Sequence, residues 1–345
     1  MSVNILSLFD GISCGQYSFQ NSDINVDKYY AVEVDTKSMA VSRFNFPDTI
    51  FIGDVRELSN NQIPFVDILI GGSPCQNLSF AGKQKGTLTS CNIEITTLDQ
   101  YLELKNDGFE FEGQSYLFWE YLRILKQLQK RNPNLKFLLE NVKMAKKWEN
   151  IFNVALGMSP IEIDSALLSA QSRKRLYWTN FSKKVIQPKD SFIYVEDILE
   201  NLPFSPFPSN MKYINKGLPT WNKDERVPNV FTGASRGRYL SGHSGKTAQF
   251  LELRFGGKSN CLTTVDKDNF VVKYNFENDS LPSIRKLSSI EYERLQTLPD
   301  NYTLNGLTSD GEKIILSDNQ RKRMIGNSWT ATIITHLIKQ GDFNE

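Results

Sequence analysis

The run Phe65-Val66-Asp67-Ile68-Leu69-Ile70-Gly71-Gly72-Ser73-Pro74-Cys75-Gln76 decides how this chain is read. Its first half is apolar, β-branched and of strand length, so it predicts a buried β-strand over 65–70. A cysteine then stands just past the carboxyl end of that strand, where open α/β sheets hold their ligands. Pro74 fixes its own φ and restricts Ser73, which gives Cys75 a rigid backbone support. The following residues, Gln76 to Gly86, are polar, basic and glycine-containing, with Gln76, Ser79 and Lys83 among them. A rigidly mounted thiol before a mobile basic loop reads as a nucleophile facing an anionic polymer. A cysteine is also, more often, just a small buried apolar residue, so the rest of the chain has to decide.

Up to about residue 185 strand-like and helical stretches alternate, which predicts an α/β domain built on a parallel sheet covered on both faces. Strands are expected near 4–9, 27–33, 50–52, 65–70, 136–140, 161–167 and 175–180. An amphipathic helix is expected from Tyr116 to Arg131, with Leu117, Tyr121, Ile124, Leu125 and Leu128 on one face and Pro133-Asn134 ending it. The stretch from Thr87 to Gly113 has little periodicity and is expected to extend the mobile loop behind Cys75. After Lys189, Pro203, Pro206, Pro208, Pro219 and Pro228 and many glycines break up short strand-like runs, which predicts a smaller, irregular β-rich domain over 189–318. Residues 1–188 and 319–345 would form the larger domain, with a final helix over Ile325–Gln340 packing back onto it.

The chain has 345 residues, and its 40 Lys and Arg against 39 Asp and Glu give no global nucleic-acid signal. The local distribution differs: between Met211 and Lys258 nine Lys or Arg stand against three Asp or Glu, interleaved with Trp221, Phe231 and Tyr239. Cysteines 14, 75, 91 and 261 show no CxxC spacing, so neither a zinc site nor any other metal is expected, and reduced thiols suit them better than disulfides. The strand-like amino terminus carries no signal-peptide pattern and no apolar run reaches membrane-spanning length, which predicts a soluble intracellular protein with no membrane partner.

Further segments share the strand-end pattern. Phe9-Asp10-Gly11-Ile12 follows the first strand, Glu140-Asn141-Val142 ends another, and Gln171-Ser172-Arg173-Lys174-Arg175 precedes Leu176-Tyr177-Trp178. Gly326-Asn327-Ser328-Trp329 stands near the carboxyl end. The order FDG, PCQ, ENV, QSRKR, GNS resembles the cytosine-5 DNA methyltransferase family, over roughly residues 1–185 and 284–340. The first turn has Ser13 and Cys14 where that family usually has further glycines, and so is closer to the mammalian de novo enzymes.

The resemblance implies a Rossmann-like S-adenosylmethionine-dependent methyltransferase sheet, with 189–318 as target-recognition domain. It implies that Cys75 adds to C6 of a cytosine, because C5 alone is a poor nucleophile and needs a covalent push. Glu140 would hold and protonate N3, a role that asks for a carboxyl group with a raised pKa, and Asn141 would brace the Ser73-Pro74 backbone. Gln171, Arg173 and Arg175 would line the site, Arg175 favoured for the cytosine O2 and Arg173 for a phosphate, although the two are interchangeable at this stage. Phe9, Asp10, Gly11 and Ile12 would form the cofactor turn. Glu33 would bind ribose hydroxyls, Val34 would pack on adenine, and Asp54 with Val55 would meet the adenine edge. Ser73, Pro74, Leu117, Asn327, Ser328 and Trp329 would complete that site. In 189–318, Arg236, Arg238, Lys246, Cys261, Thr263 and Thr264 are candidate DNA contacts. A monomer acting on double-stranded DNA, cytoplasmic and bacterial or phage-encoded, is the implied setting.

Three rivals remain. A tRNA cytosine methyltransferase shares the fold and motifs, but those relatives resemble one another in a Cys-Phe-Thr segment not found here. A catalytically silent DNA-binding homologue is disfavoured by the joint presence of Cys75, Glu140, Gln171, Arg173 and Arg175. A Cys-His hydrolase is disfavoured because His243 and His336, the two histidines, have no motif around them.

Overall fold

The computed structural model describes residues 2–79, 85–208, 212–213, 230–239, 247–254, 256–263, 269–273 and 282–343. The chain begins β1 (Ser2–Leu8), α1 (Cys14–Gln20), β2 (Asn25–Val32), α2 (Thr36–Asn45), β3 (Ile50–Phe51) and β4 (Ile68–Gly72). It continues α3 (Leu98–Asn106), α4 (Leu117–Arg131), β5 (Lys136–Val142), α5 (Lys146–Leu156), β6 (Ile161–Asp164) and β7 (Lys174–Thr179). These seven strands form one sheet in the order β3-β2-β1-β4-β5-β7-β6.

Successive residues of the central strands bury opposite faces, as the two-residue period of a strand requires. Leu69 and Leu139 meet Tyr121, Leu125 and Phe152 on one face, while Ile68, Ile70 and Leu138 meet Phe19, Ile333 and Leu337 on the other. Continuous apolar runs in β4 and β5 are therefore the signature of a sheet covered on both sides. α4 presents Leu117, Tyr121, Ile124, Leu125 and Leu128 to the first of these cores, and the Phe118 and Phe152 rings stack at 3.6 Å between α4 and α5.

The expected all-parallel sheet is corrected at one strand. β7 runs antiparallel to both β5 and β6, pairing Val142 with Arg175 and Leu138 with Thr179. The short turn through Ser165–Leu167, a single 3-10 turn where strand was expected, leaves no room for a crossover helix, so the chain reverses. A parallel β7 would have put Arg175 at the opposite edge of the sheet from Glu140.

Next come α6 (Val195–Ile198), β8 (Lys212–Tyr213), β9 (Val230–Tyr239), β10 (Thr247–Arg254), β11 (Phe270–Lys273) and β12 (Ser283–Lys286). They build a second sheet in the order β12-β11-β9-β10-β8, antiparallel except for the β8–β10 pair. The chain closes with α7 (Ser289–Leu295), the hairpin β13 (Asn305–Leu307) and β14 (Lys313–Ile315), α8 (Asp318–Asn327) and α9 (Ala331–Lys339).

Two expectations about helices change. Thr87–Gly113 contains α3, whose first turn is capped by Thr97 accepting from Gln100 N, a local signal that periodicity over nine residues was too short to reveal. The single helix over 325–340 is two, α8 and α9, broken where Ser328 turns extended. Leu298, Tyr302 and Leu316, after the second sheet, pack with Ile12 of the turn after β1, Val41 of α2 and Ala331 of α9. Among the described residues no helix is long and apolar enough to cross a membrane.

Candidate active site

Parallel β1, β4 and β5 end on one edge of the sheet, and antiparallel β7 begins there. That edge gathers the chemistry. Glu140, near the end of β5, places Oε1 3.0 Å from Arg175 Nε, and its Oε2 accepts from Trp329 Nε1 at 3.1 Å. Next to it, Asn141 Nδ2 donates to the carbonyl and hydroxyl oxygens of Ser73 at 3.2 and 3.0 Å. Cys75 follows two residues later, half-buried, its carbonyl accepting from the N–H groups of Leu78 and Ser79.

Burial pushes the Cys75 thiol up and the Glu140 charge adds to that, while Arg175 and Arg173 pull it back down. The thiol therefore lies within the electrostatic reach of one carboxylate and two guanidiniums. Cys261 behaves oppositely: burial raises it, yet Arg173 and Arg175 outweigh burial and leave it lowered.

The structure reassigns several residues expected to line the opening. Arg173 is buried, and its guanidinium donates to the carbonyls of Gly326 and Ser328 at 3.3 and 2.9 Å and to Cys261 Sγ at 3.3 Å. It clamps the α8–α9 turn and is not turned outward toward a phosphate. Gln171 is fully buried, donating to Leu295 O and Gln296 Oε1 while its own Oε1 accepts from Leu262 N at 2.8 Å. It pins residues 259–262 to the first sheet, helped by the Gln171–Ser259 bridge. Cys261 directs its sulfur between the two arginines, with Arg175 Nη2 at 3.5 Å, and so faces the protein interior.

Beside this edge lies a cavity of about 200 Å³ lined by Phe9, Val32, Glu33, Val34, Asp54, Val55, Arg56, Gly113, Gln114, Tyr116 and Leu117. Glu33 accepts from Gly11 N on one oxygen and from Val34 N and Asp35 N on the other, which fixes its carboxylate at the cavity mouth. Val34, 62% exposed, offers an apolar platform at the cavity. Asp54 takes a bidentate contact from Arg56, and the Arg56 hydrogen bond holds its carboxyl below the usual range.

The turn after β1 is held from beneath. Phe9 and Ser13, neither of them glycine, both sit at φ 59, a conformation costing on the order of 1–3 kcal/mol each. Asp10 compensates by accepting from Ser13 Oγ at 2.5 Å and Tyr29 Oη at 2.8 Å. Its side chain thus faces inward, not into the cavity, and burial raises its carboxyl to about 6 against the donors Ser13, Ser7 and Tyr29. Ile12 is buried in the core with Cys14 and Val41. Ser73 is likewise buried against Asn141 and Pro74 is half-buried, while Asn327 is exposed. Ser328 donates from Oγ to Ile325 O at 2.8 Å.

The model of one family, described as C-5 cytosine-specific DNA methylase, matches residues 3–98 and 168–341. The chain belongs to that family. It is a methyltransferase by descent. The methylase is 26% identical over 352 residues to the type II methyltransferase M1.ScrFI of Lactococcus lactis subsp. cremoris, covering 97% of this chain and 77% of that protein. It is 24% identical over 336 residues to the type II methyltransferase M.HaeII of Haemophilus aegyptius, covering 95% and 89%. In fold it is similar to the Entamoeba histolytica methyltransferase EhMeth (TM-score 0.60, 15% identity, 99% and 98% of the two chains). The S. pombe Dnmt2 methyltransferase gives a TM-score of 0.60 at 14% identity, covering 98% of each chain.

Of the candidate DNA contacts in the methylase, Gln76 is exposed and Ser79 half-buried in a bridge to Met144. Arg236 is exposed on β9, and Thr263 is half-buried. Arg238 lies on β9, but its side chain, with Lys83, Lys246 and Thr264, falls outside the described residues. Arg56, Gln114 and Tyr116 line the cavity without any sequence signal, since they belong to no motif and meet only when α4 docks. Among the described residues no group of three or more His, Cys, Asp or Glu gathers as a metal site.

Proposed function

We propose that this methylase transfers a methyl group to C5 of a cytosine in double-stranded DNA through a covalent bond between Cys75 and C6. The observation that carries the proposal is geometric: Glu140 is paired with Arg175 at 3.0 Å, and the adjacent Asn141 holds Ser73, two residues before Cys75, at the same sheet edge. A base stacked in a duplex cannot reach such an edge, so the target cytosine is flipped out.

The cavity suits S-adenosylmethionine. Val34 offers an apolar face for adenine, Glu33 retains one acceptor position, on Oε2, for a ribose hydroxyl, and Asp54 stays anionic for an exocyclic amine. Phe9, Val55 and Leu117 close the remaining walls. When bound, that cofactor supplies a methyl group on a sulfonium centre. Everything else is the work of protein side chains. The Cys75 sulfur donates an electron pair to C6 as its proton leaves, and Glu140 gives a proton to N3, so the ring becomes an enamine with electron density on C5. After C5 has taken the methyl group, its proton departs to a base, the C6–S bond breaks, N3 returns its proton to Glu140 and the thiolate is restored. Arg175, fixed by Glu140, supplies positive charge beside the ring oxygen. Residues 189–318 act as the target reader, with Arg236 in the phosphate footprint.

The test is incorporation of labelled methyl from S-adenosylmethionine into unmethylated duplex DNA, with tRNA in a parallel arm. Label in DNA that bisulfite sequencing maps to cytosine, lost in Cys75→Ser, supports the proposal. Label confined to tRNA would overturn the choice of substrate, and label in neither would overturn the activity.

A further inference from the structure

Trp329 was read from the sequence as part of the cofactor's surroundings. Its geometry says more. The indole Nε1–H donates to Glu140 Oε2 at 3.1 Å. The opposite oxygen, Oε1, is held 3.0 Å from Arg175 Nε. Each carboxylate oxygen is therefore clamped by one donor, from β7 on one side and from the α8–α9 turn on the other.

The space around the indole is shaped for this contact. A Cβ on Gly72 would stand 2.8 Å from Trp329 Nε1 and 3.1 Å from Glu140 Oε2, so only glycine allows the two atoms to meet there. A Cβ on Gly15 would stand 3.3 Å from Trp329 Cζ3. The ring is wedged between the start of α1, just after the cofactor turn, and the end of β4, just before Cys75. Its position is further fixed through the turn itself, whose carbonyls at Gly326 and Ser328 accept from Arg173.

We propose that Trp329 is a positioning residue for Glu140: its indole N–H orients the carboxyl group toward the base and stabilises the carboxylate left after the proton has gone to N3. The proposal rests on the reading of Glu140 as the group that meets cytosine N3. A carboxylate has about four acceptor positions. Two are taken by Trp329 and Arg175, so one on each oxygen remains for the base, and the indole contact persists while cytosine is bound. A donor to the ionised form gains strength as Glu140 gives up its proton, so its effect is greater in the transition state than before it. Tryptophan suits the task because its N–H donates and cannot accept, and its ring fills the wedge that fixes the donor's direction.

The charged and titratable groups facing Glu140 are Arg175 and Tyr177 from β7 and Cys75 beyond β4. None of them changes when the indole N–H alone is removed. Two variants remove that N–H: Trp329→Phe, which also shrinks the ring, and the full-length protein with 3-benzothienylalanine at position 329, which keeps the bicyclic shape and replaces N–H by sulfur. Single-turnover methyl transfer to unmethylated duplex DNA is expected to slow between about 10- and 100-fold in both, the range for losing a hydrogen bond to a charged group. Affinity for S-adenosylhomocysteine is expected to stay within threefold. A single-turnover rate within twofold of the wild type in both variants overturns the proposal. So does a rate lost only in step with cofactor affinity, which would make Trp329 a wall of the cofactor site. Absence of methyl transfer by the wild-type protein overturns the underlying reading of the site instead.

Discussion

Asn141 ties the two halves of the site together: its Nδ2 donates to both Ser73 O and Ser73 Oγ, at 3.2 and 3.0 Å. Glu140 precedes Asn141 on β5 and Cys75 lies two residues beyond Ser73, so one buried amide sets the spacing of carboxyl and thiol. Asn141→Asp replaces the donor by an acceptor facing a carbonyl oxygen. It should lower stability by about 1–3 kcal/mol, the cost of unsatisfied buried polar groups, and should slow methyl transfer more than Asn141→Gln. Urea melts and single-turnover rates would show both effects, and an Asp variant as fast as wild type would contradict the role.

Arg173 separates two roles for a guanidinium near DNA. If it clamps the Gly326–Ser328 turn, Arg173→Gln should weaken S-adenosylhomocysteine binding and lower the melting temperature. The salt dependence of DNA binding should then stay unchanged. A lost phosphate contact would instead reduce the log–log salt slope by about 0.9. Measuring both quantities on the same variant decides between them.

How much of this was legible beforehand depends on what kind of information each residue carries. The doubly covered sheet could be read because β4 and β5 are apolar on both faces, and α4 because its apolar positions keep a helical period over four turns. The reversal of β7 was hidden, because strand direction is set by the length of a connection and leaves no mark in a six-residue strand. Gln171 and Arg173 were legible as members of a motif but not as buried clamps, since their partners Leu262, Leu295, Gly326 and Ser328 lie far away in sequence. The break between α8 and α9 lay inside an unbroken helical pattern. Its cause is tertiary: Arg173 and Gln296 both draw on the Ser328 carbonyl.

The Cys75 thiol should respond to its neighbour's charge. Glu140 raises it, second only to burial. Removing that charge in Glu140→Gln should therefore lower the thiol's pKa and speed alkylation of Cys75 by iodoacetamide at neutral pH, even as methyl transfer is lost. Slower alkylation would show that Glu140 acts on Cys75 mainly through Arg175.

Asp10 makes a prediction about stability. Its carboxyl is raised to about 6 in the folded protein from 3.8, so between those values the folded state holds a proton that the unfolded chain has released. The contribution is present at low pH and is lost as pH rises through about 6. Asp10→Asn, which does not titrate, should gain on the wild type by up to about 3 kcal/mol between pH 4 and pH 7. The difference between the two denaturation midpoints, followed against pH, tests the sign. A difference that does not change with pH would mean that the Ser13 and Tyr29 hydrogen bonds offset burial.

The central claim is the bond between Cys75 and the base, and duplex DNA with 5-fluorocytosine in place of cytosine tests it most directly. Fluorine at C5 cannot leave as a cation, so methyl transfer proceeds but the elimination that frees the protein does not. With S-adenosylmethionine present, the wild-type protein should become covalently attached to DNA, and mass spectrometry of the digested adduct should place the bond on Cys75. Cys75→Ser should give no adduct while still binding S-adenosylhomocysteine, because serine lacks the thiol's accessible anion. Single substitutions of Cys14, Cys91 and Cys261 should leave trapping intact. An adduct on any other cysteine, or turnover of the fluorinated duplex without an adduct, would contradict the account.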